Sequence, residues 1–396
     1  MLDQASFDQE VIVSPVALLK ATPWLALAVS LSARELESRP LRVQGAEPDA
    51  FEATIRGPQF HPPHTAFHNF EEFSSPRIRQ LRKEYGLDNV VAAEPDEFRR
   101  MLKLRHWVHT RWPIDNEQKF SGDVFEILEK AKAGYGFYCT HSMRVQHAVM
   151  TAMGFVARDL GVDSDHLVFG RSNHHGMNEV WSNKYAKWVL FDAKYDIHYE
   201  RDGVPLSVLE VHQAVRSDLG KAIVKVQGPE RREVPMKGLE YPTSSVLSYW
   251  WVSYTPGLRT FTGKSEGSGI VVFDSDDFRR TRWFRDGPDD LREHWAYGAN
   301  AFIRVQDRDE INWTVGVPDV ELRRVARSEL DVVLTSVTPN LETYRVRMGD
   351  GSWQNIPGNQ WRWRLGMGEN TLAVRTRNQF GVEGPVVTAR VKQRAR

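Results

Sequence analysis

Between residues 76 and 196 the spacing of apolar side chains changes once, from the period of a helix to that of a strand. Helices first and strands after confine the middle of the chain to an α+β arrangement. SPRIRQLRKEYG carries Pro in its first turn and Gly at its end, the marks of a short helix. EPDEFRRMLKLRHWVHTRW opens with Asp96 as an N-cap and lays Phe98, Met101, Leu102, Leu104, Trp107 and Val108 along one broad face. SGDVFEILEKAKAG predicts a third helix, capped by Ser121 or Asp123 and stopped by Gly134. The run after Cys139 predicts a fourth, apolar enough at Met143, Val145, Ala148, Val149, Ala152 and Met153 to sit at the centre of a core. From about residue 165 the period is two. HHGMNEVWSN and KWVLFDAKYD flank the polar stretch SNKYAK, which predicts a hairpin.

The flanks read differently. Residues 11 to 57 mix apolar runs with scattered Pro and predict short strands, giving a β-rich N-terminal region over 1–75. Residues 225 to 315 hold Tyr249, Trp250, Trp251 and Tyr254 and a Gly/Ser loop; they read as strands and one or two helices wrapping the middle unit, which spans 76–327. From 328 to 396, short strands with turn residues every 8 to 12 positions predict an antiparallel β-sandwich that folds apart from the middle unit. Lys plus Arg equals Asp plus Glu at 52 each, so the net charge is zero, which argues against nucleic acid and anionic membranes as bulk partners. No stretch approaches the roughly 20 apolar residues of a membrane span. The opening MLDQASFDQE has acids where a signal peptide needs positive charge. The chain as given reads as cytoplasmic, or as secreted or periplasmic if a leader was removed.

Cys139 is the one cysteine in 396 residues. A disulfide within the chain is impossible, and a thiolate zinc site wants two or more cysteines at short spacing. His61, His64 and His68 match no zinc pattern and read as solvated loop residues. Cys139 is therefore either an inert buried thiol or a nucleophile. It follows Gly134 and Gly136 and stands at the predicted start of a helix, where partial positive charge lowers a thiol pKa. His175 begins one strand of the hairpin and Asp192 lies on the next, and a tight hairpin brings the two opposite each other. Thiolate, imidazole and orienting carboxylate form a nucleophile–base–orienter set. His174 adjoins His175, so either imidazole is a candidate base, whereas Asp196 and His198 read as loop or edge residues.

In their order, GYGFYCTHSMRVQHAVMTAMGFVAR, HHGMNEVW and KWVLFDAKYD resemble the transglutaminase-like superfamily of papain-like folds. NTLAVRTRNQFGVEGP resembles a late strand and turn of a fibronectin type III or immunoglobulin-like module. The first resemblance implies Cys139 as nucleophile, His175 as base and Asp192 as orienting acid. Ala157–Arg158 stands where the family has an Ala-Arg pair, while Met177 and Val156 stand where it usually has an aromatic and a Pro. It also implies acyl chemistry on a protein or peptide amide, by hydrolysis or by transfer to an amine. No cofactor is expected, and with no EF-hand loop in view, no metal. Two further classes stay open. One is a polysaccharide-active enzyme on the same fold, such as a uronate lyase, built from Tyr138, His174, His175 and Asn178 and acting on an acidic polysaccharide. The other is an inactive binding protein.

Overall fold

The computed structural model describes residues 38–47, 50–62, 73–114, 117–118, 120, 122–163, 174–218, 220–236, 246–252, 268–273, 301–305 and 311–394. Strands β1 (Arg39–Pro40), β2 (Val43–Gln44) and β3 (Phe51–Arg56) come first. Helices α1 (Pro76–Glu84), α2 (Leu87–Val90), α3 (Glu97–His109), α4 (Val124–Lys132) and α5 (Cys139–Ala152) follow, with the short strands β4 (Glu117–Gln118) and β5 (Gly136–Phe137) before and after α4. The expected helices form, and their ends show why. The Asp96 carboxylate accepts from the Arg99 amide at 2.9 Å, and Asp123 and Glu126 exchange the two bonds of a capping box. The apolar residues read along α5 are all buried.

The second half of the core is strand. β6 (Ala157–Asp163), β7 (His174–Ser182) and β8 (Lys187–Phe191) pair antiparallel, with Asp159 opposite Asn178 and Trp181 opposite Trp188. β9 (Ile197–Arg201), β10 (Val204–Pro205), α6 (Val208–Asp218), β11 (Val224–Gln227) and β12 (Arg232–Val234) then build a small sheet in the order β10-β9-β11-β12. β13 (Val246–Val252), β14 (Ser268–Phe273) and β15 (Ala301–Val305) extend the large sheet beyond β6. The strands expected after residue 225 are thus found; Tyr254 and most of the Gly/Ser loop lie outside the described residues.

Strand alternation divides the large sheet into two buried faces. Ala157, Val180, Val189 and Phe191 share a core with α1, α3, α4 and α5. Leu160, Met177 and Leu190 share another with Ile197, Tyr199 and the apolar side of α6.

The C-terminal strands are β16 (Asp319–Ala326), β17 (Glu329–Thr335), β18 (Leu341–Met348), β19 (Gln354–Ile356), β20 (Gln360–Arg364), β21 (Glu369–Asn378) and β22 (Val387–Gln393). They form two sheets, β1-β3-β22-β21-β18-β19 and β2-β16-β17-β20. The strand pairing departs from the expected lines at 75/76 and 327/328. β3 pairs with β22 along its whole length and β2 runs parallel to β16, so the first strands complete the last unit, whose own first strand begins at Asp319. β3 covers an edge of β22 that would otherwise expose unpaired backbone groups. The core cluster of the sandwich also includes Val156, Trp181 and Trp188 from the middle of the chain.

Candidate active site

Cys139 is the first residue of α5 and partly exposed, and Tyr138 before it is extended, at φ −68° and ψ 165°. The first turn of α5 lies against β7 because position 176 has no side chain. A Cβ there would stand 3.2 Å from Met143 Sδ and 3.6 Å from Thr140 Cα. The same close approach lets the Gly176 amide donate to Cys139 Sγ at 3.4 Å. That N–H and the helix N-terminus both favour the thiolate.

His175 precedes Gly176. Its Nε2 lies 2.6 Å from Asp192 Oδ2, with both side chains buried. The pairing register explains the meeting: with Asn178 opposite Phe191, Asp192 falls on the sheet face shared by His175 and Met177, diagonal to the histidine. With Nε2 given to the carboxylate, Nδ1 is the nitrogen left for the sulfur. Burial works against the charged imidazole, but the charge and hydrogen bond of Asp192 outweigh it. The hydrogen bond and charge of Cys139 add to that push, and the His175 pKa rises from 6.5 to about 10. The other carboxylate oxygen of Asp192 accepts from the Lys194 and Tyr195 amides at 2.9 and 3.3 Å, so the orienting group is itself oriented. The Tyr195 ring lies 5.5 Å from the imidazole.

The turn after Asp192 is closed by two backbone bonds between Asp192 and Ile197, each 3.0 Å. Asp196, at φ +56°, and His198 were expected as loop or edge residues; both are buried. The reason is Arg105 of α3, itself fully buried. It donates to Asp196 Oδ1 at 2.8 Å and to the Asp196 carbonyl at 3.0 Å, and lies 2.9 Å from His198 Nδ1. Burial, opposed by Glu200 and aided by Arg105, lowers His198 to about 4, so this imidazole is neutral.

Arg158 of the Ala-Arg pair makes a buried ion pair with Glu179, at 2.9 and 2.5 Å from one oxygen, and donates to the Ile311 carbonyl at 2.6 Å. The second Glu179 oxygen accepts from the Val208 amide at the start of α6, at 2.8 Å. At the far end of the hairpin, Glu97 receives Ser182 Oγ and the Asn183 and Lys184 amides at 3.0, 3.0 and 2.8 Å. Sequence reasoning passed over Gly176, Tyr195, Arg105 and Glu97. Only Gly176 carried a local signal, a glycine inside a strand pattern, which marks close approach of another backbone.

Of the alternative set of Tyr138, His174, His175 and Asn178, strand alternation puts His175 and Asn178 on opposite faces of β7. Asn178 is fully buried on the α5 face of the sheet and donates to Asp159 Oδ1 at 2.8 Å. Tyr138 is exposed beside His141, and the His174 side chain lies outside the described residues. Of the three early histidines, His61 accepts from the Thr314 amide and donates its own amide to Thr314 Oγ1, and His64 and His68 lie outside the described residues. Among the described residues no group of three or more His, Cys, Asp or Glu has the spacing to hold a metal ion, and no helix is long and apolar enough to cross a membrane.

Together these features define an α+β chain with a papain-like core, in which a helix bearing Cys is followed by a strand bearing His and by an Asp just past the end of the next strand. Residues 87–193 match the family model of the transglutaminase-like superfamily, so the core of this chain is transglutaminase-like. The match runs from α2 to one residue past Asp192, and it covers well under half of the chain. Among solved structures the chain is similar to the crystal structure of red sea bream transglutaminase, with 12% identity, 81% of this chain and 72% of that chain covered, and a TM-score of 0.22. So slight a structural likeness carries no weight by itself. No curated protein matches the sequence.

Proposed function

We propose that this protein is a thiol-dependent acyl-transfer enzyme acting on protein or peptide amides, with Cys139 as nucleophile, His175 as acid and base, and Asp192 as the group that orients His175. The observation that carries this reading is His175 held by Asp192 at 2.6 Å while its pKa is raised by both Asp192 and Cys139, the mark of a thiolate–imidazolium pair. The thiolate attacks the amide carbonyl carbon, and the carbonyl π electrons move to oxygen. When the tetrahedral species collapses, the C–N bond breaks and His175 gives its proton to the departing amine, leaving a thioester on Cys139. Water or a primary amine then attacks the thioester, neutral His175 takes the proton, and the thiolate leaves. Asp192 stays ionised throughout and holds the ring.

Intact-mass spectrometry tests this on the full chain incubated with a casein-type amide substrate at neutral pH. An acyl adduct should appear on Cys139, discharge on addition of a primary amine, and be absent from Cys139→Ala. Turnover that persists in Cys139→Ala would refute the assignment.

A further inference from the structure

The two outer faces of the β-sandwich carry charge in opposite ways. On the β16-β17-β20 side, opposite signs face each other across the strands. Asp331 lies between Arg323 and Arg362, Glu329 opposes Arg364, and Arg362 donates to Asp331 at 2.6 Å. On the β18-β21 side, Arg345 and Arg375 stand directly opposite each other. Like charges so placed are destabilising. Arg347, two residues along the same face, packs 5.1 Å from the Trp353 ring, and Arg375 packs 4.2 Å from it. Two guanidiniums thus pack on one indole, and a third, that of Arg345, stands across the strand pair from Arg375. Glu383 bridges Arg345 and Arg375, but among the described residues no acid pairs with Arg347. Burial lowers the Arg375 pKa, Glu383 works against it, and Arg345 and Arg347 lower it further.

We infer that this face is a docking site for a short acidic segment of a protein. Its carboxylates would complete the charge that Glu383 balances only in part. Residues i and i+2 of an extended peptide present side chains about 7 Å apart, the same repeat that separates Arg345 from Arg347 on their strand. Guanidinium forks suit carboxylates at that spacing. Glu342 and Glu369 pair with Arg377 and Arg390 at the rim and leave the cationic patch small. A nucleic acid draws its affinity from many phosphate contacts, which so small a patch does not offer. The inference rests on the charge layout of the sandwich and holds whether or not Cys139 is a nucleophile.

Fluorescence anisotropy tests it with the full-length Cys139→Ala chain, a labelled peptide alternating Glu and Ser, and an oligothymidylate of equal charge. The peptide should bind saturably and more tightly than the oligonucleotide, and more weakly as salt rises. Arg347→Gln and Arg375→Gln should each weaken it by about fivefold or more, while Arg323→Gln on the balanced face leaves it unchanged. Arg347→Gln is decisive if Arg375→Gln does not fold, because among the described residues Arg347 holds no ion pair. No saturable binding, equal binding by Arg347→Gln, or tighter binding of the oligonucleotide would overturn the inference.

Discussion

His175 stands between a carboxylate and a sulfur in a buried setting, and its pKa of about 10 states what that setting does. The folded value lies above the ordinary 6.5. The stabilisation it represents is therefore complete below about pH 6.5 and is lost as pH rises through about 10. Activity that needs imidazolium as proton donor should show an alkaline limb near pH 10. Asp192→Asn removes the strongest upward push, so the limb of its pH–rate profile should move toward neutrality; an unmoved limb would mean Asp192 does not set the ring's charge. Under the proposed mechanism Cys139→Ala should cost on the order of a thousandfold in turnover, and Asp192→Asn less, since the carboxylate forms no bond to the substrate. The three residues were legible in the sequence because each type is distinctive and their order matches one layout. Arg105 was not, because its partners Asp196 and His198 lie some ninety residues away and nothing local announces a buried guanidinium.

At the scale of elements, one contact seats α5 against the hairpin and another ties α3 to the hairpin's turn. Gly176→Val would press its Cβ on the Met143 sulfur at 3.2 Å and drive its two added methyls toward Thr140 in the turn that carries Cys139. Thiol reactivity should fall much further than thermal stability; equal losses would show a general packing defect. Glu97→Ala strips an acceptor from two backbone amides and a hydroxyl at the hairpin turn, and denaturant titration should find a loss of about 1–3 kcal/mol. A loss near zero would mean water replaces the carboxylate there. Helices and hairpin were legible because caps, stops and periodicity are local signals. The acceptor role of Glu97 was not, since a Glu in the first turn of a helix is ordinary there.

Over the whole molecule, Trp188 joins the parts. It packs edge-on against Trp181 and Trp313, and its indole N–H donates to the Trp313 carbonyl at 2.8 Å. Both hairpin tryptophans belong to the sandwich core, so deleting residues 319–396 should uncover them. Heat denaturation of the full chain should then show one cooperative transition over the two units, and the truncated chain should melt well below it. Two independent transitions would restore the separate sandwich expected from strand spacing alone. That spacing revealed the late strands correctly. The short strands read over residues 11 to 57 carried no sign of where β3 pairs, because its partner Val387–Gln393 lies more than three hundred residues further along the chain.

The central claim is that Cys139 is an activated thiolate, and the rate of its alkylation by iodoacetamide between pH 6 and 7 tests it most directly. With His175 and the start of α5 favouring the thiolate, labelling should run far faster than for a free thiol of pKa about 8.5, and should slow sharply in His175→Ala. Labelling no faster than that of glutathione, or only after denaturation, would make Cys139 an inert buried thiol and contradict the account.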